Sequence, residues 1–314
     1  MRKSAVLAFI ASALLSPCIA QADAFDDGMN TMWEVLWHQS GTATRLVRWE
    51  QDIKVRVHGS TNDTHRQHAL KALRAVAHEA GVKVVDVSEQ ADAAKVANVS
   101  IEITPDSALS ENQPCETRLD FDTETTLHGA VTQMRGSDAL RCAYHEAMHI
   151  MGVRGHPEGQ TVLSYFSAKA DALTPLDKAM LRAWYAPAAR GGMTPFEVLP
   201  VLADQLVEIM PNRKLATAAR DRFLARTIGE MEAFVEGRGD VPAIVRRSGK
   251  SSALGVRYGR MEMGYFLGVA YEQGMAVRKD AGQAQRWLHA AASLGSRSAQ
   301  ARLGAGSGAA AAGS

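Results

Sequence analysis

His145 and His149 stand four residues apart with Glu146 between them, in the run His145-Glu146-Ala147-Met148-His149. On a helix, positions i and i+4 lie one turn apart on one face, so two imidazoles at this spacing can reach a single cation. A glutamate beside the first imidazole lies near such an ion without binding it. It can take a proton from a water whose pKa a zinc ion lowers toward about 7. Gly152, three places past His149, lets the helix stop and the chain swing back, and His156 follows four places later. His156 is the expected third ligand, with Glu158 and Asp171 as substitutes. Three protein ligands and an open water position make the catalytic zinc pattern.

The elements that must position these residues are legible from periodicity. Met32, Val35 and Leu36 suggest a short helix over residues 30–38, ended near Gly41. Leu46 to Val57 alternates loosely and reads as a strand. Asn62 caps a helix whose stripe is Ala69, Leu70, Leu73, Val76 and Ala77, with Gly81 just past its end. Residues 83–87, 99–103 and 125–134 read as further strands, and a helix follows from about residue 138 through His149 to about Gly152. Strands and helices in this order predict a mixed α+β layer. Thr174 and Pro175 open the next helix, to about Tyr185, and Thr194-Pro195 opens another, to about Met210. From Leu215 onward the pattern is helical, broken at Gly237-Arg238-Gly239. Residues 305–314 are Gly, Ala and Ser alone and read as a flexible tail.

With 314 residues, 46% of them hydrophobic and 22% charged, the chain can bury a core and is not of disordered composition. A formal net charge of +1 gives no reason to expect nucleic acid or an anionic membrane as partner. Arg2, Lys3 and the apolar run from Ala5 to Leu15 read as a secretory signal with cleavage near residues 22–24. That run is too short to span a bilayer, and no other segment could, so no membrane span is expected. The competing lipoprotein reading, with Cys18 as the anchor, is disfavoured by Pro17 just before it. Signal removal leaves Cys115 and Cys142, an even pair that favours a disulfide in an oxidising compartment. Closing that loop would stabilise the fold by roughly 3 kcal/mol in the chain-entropy model and would pin the start of the motif helix.

The motif resembles the metzincin metallopeptidases, whose signature is HExxHxxGxxH followed by a methionine turn. Here His156 comes one place late, and Val162-Leu163-Ser164-Tyr165 resembles the turn with Leu163 for methionine. The resemblance implies an apolar floor under the metal and a role for Tyr165 in stabilising an oxyanion or binding the metal reversibly; a buried core tyrosine is the other reading of Tyr165. Asp177 reads as a helix N-terminal residue bonding to nearby backbone. Arg48-Trp49-Glu50, Arg141-Cys142, Leu173-Thr174-Pro175-Leu176-Asp177 and Gly192-Met193-Thr194-Pro195 together resemble the DUF2927 family of exported bacterial proteins, over roughly residues 30–205. Gly264 to Gly304, with Gly268, Tyr271, Gly274, Trp287, Ala291 and Gly295, resembles one Sel1-like repeat, a paired-helix unit in which small residues let two helices approach closely. The remaining histidines have no partner at ligand spacing; His65 and His68 read as surface residues.

The expected organisation is therefore a signal peptide over 1–22 and an α+β, zincin-like (metzincin-type) domain over 25–205. A helical connector over 206–258, a Sel1-like repeat over 259–304 and the tail over 305–314 complete it. The expected function is an exported zinc metallopeptidase, periplasmic or secreted. In it His145, His149 and His156 hold Zn2+, Glu146 is the general base and a peptide or protein is the substrate. The alternative is an inactive zincin-fold protein that binds a protein partner through its helical repeat. The late third histidine and the missing methionine favour that alternative; the intact HExxH disfavours it.

Overall fold

In the computed structural model the described residues are 23–36, 45–59, 62–123, 125–164, 172–242 and 253–311. The signal segment expected over residues 1–22, with Cys18, lies outside them. The chain divides into two compact units, one of residues 34–205 and the other of the described residues up to Trp33 and from Leu206 onward.

The first unit is built on a five-stranded sheet in the order β2-β1-β3-β5-β4, which is the mixed α+β architecture expected. Its strands are β1 (Ile53–Gly59), β2 (Val84–Asp86), β3 (Val99–Thr104), β4 (Cys115–Asp122) and β5 (Thr126–Arg135). β2, β1, β3 and β5 run parallel, and β4 pairs antiparallel with β5 at the edge. The alternation in β1 explains its placement: Ile53, Val55 and Val57 are buried, while Lys54 and Arg56 face outward. Helix α2 (Asp63–Glu79) makes the crossover between β1 and β2, capped by Asn62, whose side chain accepts from the His65 N–H at 2.9 Å. Its buried stripe is the expected one, extended by Ala72. α3 (Ala93–Val96) is a single turn before β3. A 3-10 turn over Gly136–Asp138 leads from β5 into α4 (Ala139–Ile150), which packs beside α2 and against β4 and β5. α5 (Pro175–Trp184) and α6 (Pro195–Ile209) follow, close to their expected bounds.

Two segments differ from the sequence expectation. The strand expected over Leu46 to Val57 is a strand only from Ile53. Upstream, the backbone of Leu46 is engaged by Met193 and Gly192 at 2.9 and 2.8 Å, the Val47 carbonyl accepts from the Trp184 indole at 2.8 Å, and Arg48 makes an isolated bridge to Thr126. β4 was not foreseen as a strand. Its sequence alternates Thr117, Leu119 and Phe121 with Arg118, Asp120 and Asp122, the mark of an edge strand with one face in water. The half-buried Cys115 that begins β4 is disulfide-bonded to Cys142 in α4, so the expected bridge is present.

The second unit is helical. α1 covers residues 23–34 instead of the 30–38 expected, because the apolar repeat extends back through Met29 to Phe25, which packs edge-on to Phe223. α7 (Arg213–Val235), α8 (Ala253–Gln273), α9 (Ala281–Ser293) and α10 (Arg297–Ala311) complete it. α8 and α9 approach closely through small residues: a Cβ on Gly268 would stand 2.6 Å from Leu288 Cγ, and one on Gly264 would stand 3.3 Å from the Ala291 Cβ. α10 continues to Ala311, into the stretch expected to be a flexible tail; the alanines there have the highest intrinsic helix propensity. Among the described residues no helix is long and apolar enough to cross a membrane.

Candidate metal centre

α4 brings His145 and His149 together as the i, i+4 spacing requires, and the loop after it returns His156 to them. The three Nε2 atoms form a near-equilateral triangle: His149 to His145 is 3.0 Å, His149 to His156 is 3.0 Å and His145 to His156 is 3.2 Å. Four ligand nitrogens around one tetrahedral zinc at about 2.0–2.1 Å would stand about 3.3 Å apart, so the triangle has the size of one coordination face.

The ring tautomers follow from the other nitrogens. His145 Nδ1 lies 2.9 Å from the Val162 carbonyl and His149 Nδ1 2.6 Å from the Val153 carbonyl. A carbonyl only accepts, so each Nδ1 carries the proton and each Nε2 presents a lone pair. Burial, and then the neighbouring His149, push the His145 pKa down to about 4, so the ring is neutral near pH 7. The Nε2 lone pairs of His145 and His149 thus converge with the His156 Nε2 on one point, where a cation would relieve their repulsion. The residues therefore fit a single divalent ion. Glu158 is not part of this cluster; its backbone N–H donates to the Glu34 carboxylate at 3.2 Å. Asp171 and Tyr165 lie outside the described residues.

The end of α4 is built so that no carbonyl is left unpaired. Gly152 adopts a φ of +91°, open to glycine, and a Cβ there would meet the Val47 carbonyl oxygen at 2.4 Å. The turn it makes is a Schellman motif, with Val153 N–H donating to Met148 and Gly152 N–H to His149, at 3.2 and 2.8 Å. The same turn carries the Val153 carbonyl back to the His149 ring. The next two carbonyls are taken by side chains: the Trp49 indole donates to Ile150 at 2.8 Å and the Tyr185 hydroxyl to Met151 at 3.0 Å. Tyr185 in turn accepts from the Trp49 N–H at 3.2 Å, and its burial pushes its pKa well up. The segment around Trp49 and the end of α5 thus brace the turn of helix that carries His149.

His156 is on a loop and needs a separate support. A Cβ on Gly155 would lie 2.5 Å from Val35 Cα and 2.8 Å from the Glu34 carbonyl oxygen. Gly155 and Glu158, on either side of His156, are thus both held by residues 34–35. Gly155→Val is expected to force this loop off its seat and weaken divalent-cation binding about 10-fold or more, measured by competition with a chromophoric chelator. An unchanged affinity would show that the loop holds His156 without the clamp.

Asp177 does more than cap its helix. It forms a capping box with Thr174, as the sequence suggests, but its fully buried carboxylate also accepts from the Thr161 hydroxyl and from Val162 N–H at 3.2 and 3.3 Å. It thereby fixes the turn over Thr161 to Ser164, in which Leu163 is fully buried and the Val162 carbonyl holds His145.

Glu146 is 3% exposed, and burial raises its pKa. Its Oε2 accepts from the Thr117 hydroxyl at 2.6 Å, and Thr117 and Thr132 hydroxyl oxygens lie 2.7 Å apart. Neither threonine was singled out from the sequence; the alternation in β4 was the available signal.

No curated protein and no solved structure matches the chain. The resemblance read over residues 30–205 is matched over a shorter span, which holds Arg48-Trp49-Glu50, Arg141-Cys142 and all three histidines and stops before Leu173-Thr174-Pro175-Leu176-Asp177. Residues 31–164 match the model of the DUF2927 family, described as a protein of unknown function.

Proposed function

We propose that this chain is an exported zinc-dependent metallopeptidase. The observation that carries the reading is the triangle of His145, His149 and His156 Nε2 atoms, 3.0–3.2 Å on a side, beside the buried carboxylate of Glu146. Zinc bound there would supply a Lewis acid and, from water, a nucleophile at neutral pH. The three imidazoles would hold the ion, those of His145 and His149 oriented by the Val162 and Val153 carbonyls. Glu146 takes the proton of the attacking water at its carboxylate and returns it to the leaving amine, which cleaves the peptide bond. Burial, which raises the Glu146 pKa, favours the return of the proton to the leaving amine.

On this reading the first unit is a zincin-like, metzincin-type domain. Val162-Leu163-Ser164-Tyr165 would then be the counterpart of the methionine turn, with the buried Leu163 as its apolar floor. The substrate is a peptide or protein. The close α8–α9 pair is a Sel1-like repeat, which suits it to a protein partner, and the disulfide accords with export to the periplasm or beyond.

Metal analysis of the wild-type protein beside His156→Ala, followed by incubation with a mixed peptide pool read by mass spectrometry, tests the proposal. The expected result is about one zinc per wild-type chain, little in His156→Ala, and cleavage by the wild type alone. Zinc without cleavage would sink the peptidase and leave the inactive zincin with its helical interaction module. Absence of zinc at saturating supply would sink both the metal site and the enzyme.

A further inference from the structure

We infer that Thr117, on the edge strand β4, is a positioning residue for Glu146, selecting which carboxylate oxygen is free to take a proton; this rests on the hydrolase reading above. At 100° per residue, with His145 as zero, α4 places His149 at about 40°, Cys142 at about 60° and Glu146 at about 100°. The metal-facing and β4-facing surfaces of the helix are therefore neighbours on one arc. Cys115 and Thr117, two apart on β4, share a face of that strand. They meet Cys142 and Glu146, four apart on the helix, through two adjacent rungs. One rung is the disulfide, and the other is the 2.6 Å bond from the Thr117 hydroxyl to Glu146 Oε2.

A threonine hydroxyl has one proton, and Thr117 gives it to Glu146. Thr132, paired with Thr117 across the β4–β5 ladder, therefore donates to the Thr117 oxygen at 2.7 Å. The result is a directed chain, Thr132 to Thr117 to Glu146, in which each bond strengthens the next. Thr132 is fully buried, so the chain is fixed at its far end by packing. A carboxylate held this way by Oε2 cannot turn about its last torsion without losing a buried hydrogen bond. Oε1 is left as the oxygen for an incoming proton, and the disulfide one rung away sets the spacing on which this depends.

The test compares Thr117→Val, which keeps the shape and removes the hydroxyl, with Thr117→Ser, which keeps the hydroxyl, and with Glu146→Gln. Each full-length protein is loaded with zinc, its metal content is measured, and its affinity for acetohydroxamate is determined by calorimetry. This probe chelates the metal through two oxygens and gives up its hydroxyl proton to an adjacent carboxylate, so it reads the position of Glu146 without any substrate. Thr117→Val is expected to retain zinc and bind the probe about 10-fold more weakly. Thr117→Ser should stay within about twofold of the wild type, because the hydroxyl is restored. On a cleaved peptide the loss should fall in kcat rather than KM. If Thr117→Val binds the probe as tightly as the wild type while Glu146→Gln does not, the positioning role is wrong and the hydrolase reading stands. If Glu146→Gln is also unchanged, or the wild type holds no zinc, the hydrolase reading itself has failed. Should Thr117→Val not fold, Thr132→Val leaves Thr117 in place and decides the matter: weaker probe binding supports the chain, and equal binding overturns it.

Discussion

Glu146→Gln should retain zinc and lose peptide hydrolysis by a factor of about 10² to 10⁴, the usual contribution of a positioned general acid–base group. Glutamine has the shape of glutamate, and its amide oxygen can still accept from Thr117. What it cannot do is take and return a proton. Because Glu146 is 3% exposed and burial already disfavours its charge, the substitution removes a buried ion without opening a cavity. Thermal stability should therefore stay level or rise while activity falls. Initial rates on a peptide found to be cleaved by the wild type, compared at equal zinc content, make the measurement. A variant that cleaves as fast as the wild type would remove Glu146 from the mechanism.

The largest loss of stability is expected from Asp177→Ala. The carboxylate accepts from the Thr161 hydroxyl and the Val162 N–H, both on buried residues with no water to fall back on, and from the half-buried Thr174 N–H at 2.8 Å. Each buried donor left unpaired costs about 1–3 kcal/mol, and Thr161 and Val162 each leave one. A destabilisation of roughly 3–4 kcal/mol by denaturant unfolding is therefore expected. Because the same carboxylate fixes the turn whose Val162 carbonyl orients His145, cation affinity should fall as well.

The dependence on pH gives this prediction a sign. Burial raises the Asp177 pKa above its unfolded value. The folded state then binds the proton more tightly than the unfolded one. The stability Asp177 contributes is fully present below the ordinary carboxylate pKa and declines as pH rises through its own higher value. The gap between wild type and Asp177→Ala should thus be widest in acid and narrow toward neutrality, measured on metal-free protein so that loss of zinc does not intrude. A gap that widens with pH would mean that the three donors outweigh desolvation and that the charged carboxylate is the stabilising form.

Much of this could be read along the chain because it depends on local periodicity. A spacing of four from His145 to His149 makes about one helical turn wherever the helix lies. Asn62, Thr174 and Pro175 announced their helices because caps and fixed φ angles act within a few residues. The alternation of Ile53, Val55 and Val57 marked a half-buried strand for the same reason. Where local signals were mixed, the reading slipped. β4 was passed over because its outward face is as charged as a loop, and Leu46 to Glu50 looked like strand although its backbone is spent on Gly192, Met193 and Trp184.

Residue types and their spacing settled the helix that carries Glu146 between two histidines, the pairing of Cys115 with Cys142 once both are exposed to oxidant, and the α+β class of the first unit. Long-range packing, by contrast, settled that the Val153 and Val162 carbonyls fix the two helix imidazoles by their Nδ1 protons, and that residues 34–35 clamp the loop around His156. It also decided that Thr117 and Thr132 reach Glu146, and that Asp177 holds the turn beneath His145. The physical reason is the range of the forces that choose. Helical spacing and capping act over a turn or less, whereas a buried donor takes whichever acceptor the packing brings within about 3 Å, however far away in the chain.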